Sequence, residues 1–141
     1  MFEELIDNQI SEFNEGLEQV IKDAEITKQN ILNCLNAPNL EDQLQQDGEE
    51  YIQTINESKE VMDPYYNELK EYLNDEEVLE GLKYFKDKYG DIEEKIRYCI
   101  KTIDEIKELN NKIIDIYQNI KKSKKLDDTK YETNNSRILD L

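Results

Sequence analysis

From Val78 to Ile120 the chain repeats an apolar position at alternating steps of four and three residues. The series runs Val78, Leu82, Phe85, Tyr89, Ile92, Ile96, Cys99, Ile103, Ile106, Asn110, Ile113, Tyr117 and Ile120, and only Asn110 breaks its apolar character. A seven-residue repeat held this long predicts helices packed along a narrow seam, as in a coiled coil or a long bundle. Two further seams precede it. The first, Ile6, Ile10, Phe13, Leu17, Val20, Ala24, Thr27, Ile31 and Cys34, predicts a helix from about Glu3 to Asn36. Leu5, Ile21, Leu32 and Leu35 widen its stripe, as expected of a helix that touches two neighbours. The second, Leu44, Gly48, Tyr51, Ile55, Ser58, Met62, Tyr65, Leu69 and Tyr72, predicts a helix from Leu40 to Leu73.

The breaks follow from turn chemistry. Asn36-Ala37-Pro38-Asn39 separates the first two helices, because Pro38 cannot continue a helix and Asn39 can cap the next. Pro64 removes a backbone hydrogen bond inside the second helix. The seam keeps its phase across it, which favours a kinked helix over two separate ones; the alternative has Asp63 as a cap with Pro64 at the first helical position. Between Tyr72 and Val78 the repeat slips, and Asn74 with Glu77 fits a capping box. The third helix then spans Asp75 to about Lys125. It can break at Gly90, where Tyr89-Gly90-Asp91 followed by Glu94 also reads as a stop and a capped start. The intact register favours continuity, since an interior Gly costs only about 1 kcal/mol. The predicted fold is therefore all-α: an elongated antiparallel three-helix bundle or coiled coil, up-down-up, with a third helix broken at Gly90 as the alternative to a continuous one. Residues 1–125 form the bundle domain, and the polar stretch 126–141 reads as a disordered tail.

Lengths add a site. At about 1.5 Å per residue the third helix, if unbroken, overshoots its companions by roughly 15 residues. The overshoot carries Asn110, Ile113, Tyr117 and Ile120, which are thereby the candidate partner-binding residues. Asn110 stands at a position where a single Asn fixes register in parallel two-stranded pairings.

Charge changes the picture next. Residues 1–80 carry 22 acids and four Lys, a net of −18, whereas residues 81–141 carry 12 acids and 14 Lys or Arg, a net of +2. Two acidic helices side by side repel, so the near-neutral third helix is expected to pack against both. Lys121-Lys122-Ser123-Lys124-Lys125 offsets a helix C-terminal dipole and is expected to help end the helix.

Candidate chemistry is sparse. The chain has no His, which removes the common general base and the most frequent metal ligand. Cys34 and Cys99 lie on apolar seams and read as separate buried thiols. The four Gly are scattered singly, without a phosphate loop, and the carboxylates read as solvated helix faces. No catalytic residue, cofactor or metal site is expected, and no enzyme. Nor is a small-molecule substrate, direct nucleic-acid binding or a membrane contact expected: no stretch reaches the roughly 20 apolar residues of a span. Met1-Phe2-Glu3-Glu4 lacks the basic start of a secretory signal, which points to the cytoplasm. Tyr72 to Glu76 and Tyr89 to Glu93 match the spacing of a type VII secretion signal. Both lie inside the chain, no Trp is present for the Trp-x-Gly turn of those proteins, and no family is assigned. The expected role is a non-catalytic helical interaction module (adaptor, chaperone or assembly component) that self-associates or docks on another helical protein. The alternative is an acidic decoy for a basic nucleic-acid-binding surface.

Overall fold

The computed structural model describes the backbone of residues 2–139 and the side chains of residues 6–124. Five helices follow one another: α1 (Phe2–Leu35), α2 (Leu40–Leu73), α3 (Glu76–Tyr84), α4 (Lys86–Tyr89) and α5 (Ile92–Leu139). The protein is all-helical, with no strand among the described residues. α1 and α2 have 34 residues each, about 50 Å of helix.

The third predicted helix is not continuous. Gly90 takes φ 80° and ψ −169°, a conformation open only to glycine, and its N–H still closes the last turn of α4 on the Lys86 carbonyl. Asp91 then starts α5, its Oδ1 accepting from the Glu94 N–H at 3.0 Å. The cap before α3 is Asp75, one residue later than expected; its carboxylate accepts from the N–H groups of Glu77 and Val78. Asn39 stands at the N-cap of α2, but its side chain makes no capping bond. Helical geometry continues through Pro64, and the non-helical residue of α2 is Asp47, at φ −121° and ψ 17°. The helix end expected near Lys125 is not found there. No Gly or Pro follows Gly90, and α5 stays helical to Leu139. The tail assigned to 126–141 lies outside the residues with described side chains.

α5 packs closely along both α1 and α2, whose backbones approach each other less closely. Buried Leu17, Leu69, Leu82, Ile92, Ile96, Cys99 and Ile103 form one apolar cluster, flanked by a T-shaped pair between Phe13 of α1 and Tyr72 of α2. Leu40, Leu44, Ile55, Ile113 and Tyr117 form a second, further along α5. Between them on α5 lie Ile106 and Asn110, both buried.

Charge sets the pairing as expected from the sequence. Acids of α1 and α2 meet cations of α4 and α5: Asp7 with Lys88, Glu18 with Lys95, Asp63 with Lys107 and Glu49 with Lys121. Lys28 reaches Glu105 in the opposite sense. The order of these pairs shows α1 running with α5 and α2 against it. Lys95 also donates to Asn14 Oδ1 and to the Tyr89 carbonyl, both at 3.0 Å, which ties the Gly90 turn to α1.

These pairs hold the carboxyls of Asp7, Glu18, Glu49 and Glu105 below their ordinary values, in each case chiefly through the hydrogen bond from the partnering Lys. A depressed carboxyl contributes stability above its unfolded pKa and loses it as pH falls through the folded one. The groups are solvent-exposed, so each contribution is small. Meanwhile the net charge of −16 is relieved on mild acidification. Thermal stability is therefore expected to hold or rise from about pH 7 to about pH 5 and to fall below about pH 4, as a pH series of melting curves would show.

Candidate functional site

The four residues expected on an overhang are inside the fold. Asn110 and Ile113 are each 3% exposed, Tyr117 is 9% exposed, and Ile120 is half-buried. Ile31, Cys34 and Leu35 from the end of α1, with Leu40, Leu44 and Tyr51 from the start of α2, pack in the cluster that holds Ile113 and Tyr117. The correction has a simple cause. Residues 76–91 are spent in α3, α4 and the Gly90 turn, about the length of the expected overshoot. The long helix starts later, and its seam stays under cover. Asn110 consequently lies beside the chain's own α1 and α2.

Tyr117 is fixed by three contacts. Its hydroxyl donates to Glu49 Oε1 at 2.7 Å, Lys121 Nζ stands 4.9 Å from its ring centroid, and the ring lies directly against Gly48. A Cβ at position 48 would overlap ring carbons of Tyr117. This accounts for Gly48 in the α2 seam; Asp47, with the irregular backbone, stands beside it. Gly48→Ala is expected to lower stability by about 1–3 kcal/mol, despite the better helix propensity of Ala, because the ring must move. A urea titration would check it, and an unchanged or raised midpoint would refute the contact.

Where the two clusters meet, α1 and α2 stand apart and leave a trough over α5 of about 490 Å³. Asn110 and Ile113 form its floor. Thr27, Asn30, Ile31 and Cys34 line it from α1, and Asp47, Glu50, Tyr51, Thr54, Ile55 and Ser58 line it from α2. No Lys or Arg lines it. The hydroxyls of Thr27 and Thr54 donate to backbone carbonyls of Asp23 and Glu50, leaving their oxygens as acceptors toward the trough. Tyr51 has its hydroxyl pushed above the ordinary value, first by burial and then by the neighbouring Cys34. Cys34 is a free, half-buried thiol. Cys99, also free, is fully buried in the other cluster, and burial pushes its thiol up to about 11. The Asn110 side chain lines this floor and is not among the fully buried polar atoms that lack a partner.

The sequence held a signal for this trough. Thr27, Gly48, Ser58 and Asn110 are the non-apolar members of the three seams. Three of them, Thr27, Ser58 and Asn110, converge on the trough, and Gly48 lies beside it under Tyr117.

Elsewhere the surface carries isolated apolar groups. Ile26 and Tyr98 line a shallow groove on the α1–α5 flank, Val61 stands singly, and Tyr84 packs edge-on against Phe85. Among the described residues no group of three or more Cys, Asp or Glu is placed to hold a metal ion, and no described helix is long and apolar enough to cross a membrane. Comparisons with protein-family models, curated proteins and solved structures give no match.

Proposed function

We propose that this protein is a non-catalytic helical interaction module, built as an elongated three-helix bundle with α5 as the shared inner helix. The observation that supports it is the division of the surface. The seam of α5 is used up internally, while the α1 and α2 faces keep a polar-floored trough and many exposed carboxylates without a cation. Ordered helices with apolar and acidic recognition features, and among the described residues no cluster of metal-ligating side chains, suit docking of another helical protein. With Ile113 and Tyr117 buried, self-association through that seam is no longer part of the reading.

The acidic-decoy reading has one observation in its favour. Among the described residues only Asp7, Glu18, Glu49 and Asp63 of the acids on α1 and α2 pair with cations on later helices, so most of that charge faces solvent. Salt separates the two. Affinity purification of the full chain from its source cells is expected to yield a stoichiometric helical partner at both about 0.15 M and about 0.5 M salt, since apolar docking is weakly screened. Recovery of basic nucleic-acid-binding proteins alone, lost at the higher salt, would replace this reading with the decoy. Recovery of no partner under either condition would remove both.

A further inference from the structure

We infer that the trough between α1 and α2 seats one helix of a partner protein, a basic amphipathic helix with aliphatic side chains inward and Lys or Arg on its flanks. This rests on the interaction reading and names its site and the chemistry of its occupant.

Three independent features point there. The walls are helix faces: Thr27, Ile31 and Cys34 on α1, and Tyr51, Ile55 and Ser58 on α2, each follow steps of four and three. From Asp47 to Ser58 the α2 wall runs about 16 Å, or three turns. Side chains of an incoming helix match such ridges by interdigitation. The second feature is Asn110. Asn110, 3% exposed as a residue, lines the floor of the trough, where its carboxamide is placed to pair with a polar group from above. An aliphatic occupant bearing one polar group at that level pairs with it, with half-buried Ile31, Cys34 and Tyr51 giving the apolar contact. The third is charge. Asp47 and Glu50 edge the trough, neither is ion-paired among the described residues, and no cation lines it, so a cationic flank is complementary and an anionic one is repelled.

Cys34 makes the site directly testable, because an occupant of the trough covers it while Cys99 stays buried whether or not the trough is filled. The experiment measures alkylation of Cys34 by N-ethylmaleimide in the full chain, with Cys99 as the internal reference for folding. The probe is a synthetic peptide of about four helical turns with Leu at positions i, i+3, i+4 and i+7 and Lys on both flanks. At ten times its Kd the peptide is expected to slow Cys34 alkylation roughly tenfold. A scrambled peptide of the same composition, lacking an apolar face, should not. Asp47→Lys with Glu50→Lys should abolish the protection and leave Cys99 unreactive and helicity unchanged. Equal protection by the scrambled peptide, or by hexylamine alone, would overturn helix docking in favour of a small-cation site. Peptide binding without protection of Cys34 would place recognition elsewhere and overturn the trough assignment. Neither result bears on the interaction reading itself, which the partner purification decides separately.

Discussion

Ile113→Glu is expected to unfold the protein around α5 instead of freeing a surface. Ile113 is 3% exposed, packed among residues of α1 and α2, and no Lys or Arg lines the adjoining trough to pair with a new carboxylate. An uncompensated charge at such a position costs about 3–5 kcal/mol, a large share of the roughly 5–15 kcal/mol that stabilises a typical domain. Ile120→Glu, at a half-buried position, should cost about 1 kcal/mol. Circular dichroism melts of the two variants would show the contrast. A folded Ile113→Glu protein with native melting and an altered oligomeric mass would restore the overhang as an interface.

Gly90→Ala carries the second large effect, and its sign is the informative part. At φ 80° and ψ −169° an L side chain is strained even though a Cβ there meets nothing closer than Lys95 Nζ at 3.8 Å. The expected cost is about 1–3 kcal/mol. A helix running straight through position 90 would instead gain up to about 1 kcal/mol from the same change. A lowered urea midpoint supports the reversal at Gly90, and a raised one supports a continuous helix.

Much of this fold was legible in the periodicity. The α2 boundaries match the sequence reading, and α1 begins and ends one residue early. Periodicity could not reveal the break at Gly90, because Val78 and Leu82 of α3 and Ile92 and Ile96 of α5 pack into the same cluster. A common core imposes a common phase on two separate helices, so an unbroken register does not establish an unbroken helix. The expected overhang followed directly. Counting the third helix from Asp75 put Asn110, Ile113, Tyr117 and Ile120 beyond cover, and starting it at Ile92 brings them back under α1 and α2. The trough escaped notice for a different reason. A seam is read from its apolar members, whereas the trough appears where Thr27, Ser58 and Asn110 interrupt three seams at one level, a coincidence visible only once the helices are docked. Asp47 and Glu50, at its edge, had no signature apart from the other acids of α2.

The central structural claim, that α5 is the shared inner helix from Ile92 to Tyr117, is tested most directly by native-state hydrogen exchange on the unmodified chain. Amides of residues 106–117 should be protected to the same degree as those of 92–103, because both stretches are covered from two sides and open only with the fold as a whole. Fast exchange confined to 106–117, beside slow exchange over 92–103, would contradict the account and show that stretch standing free of α1 and α2.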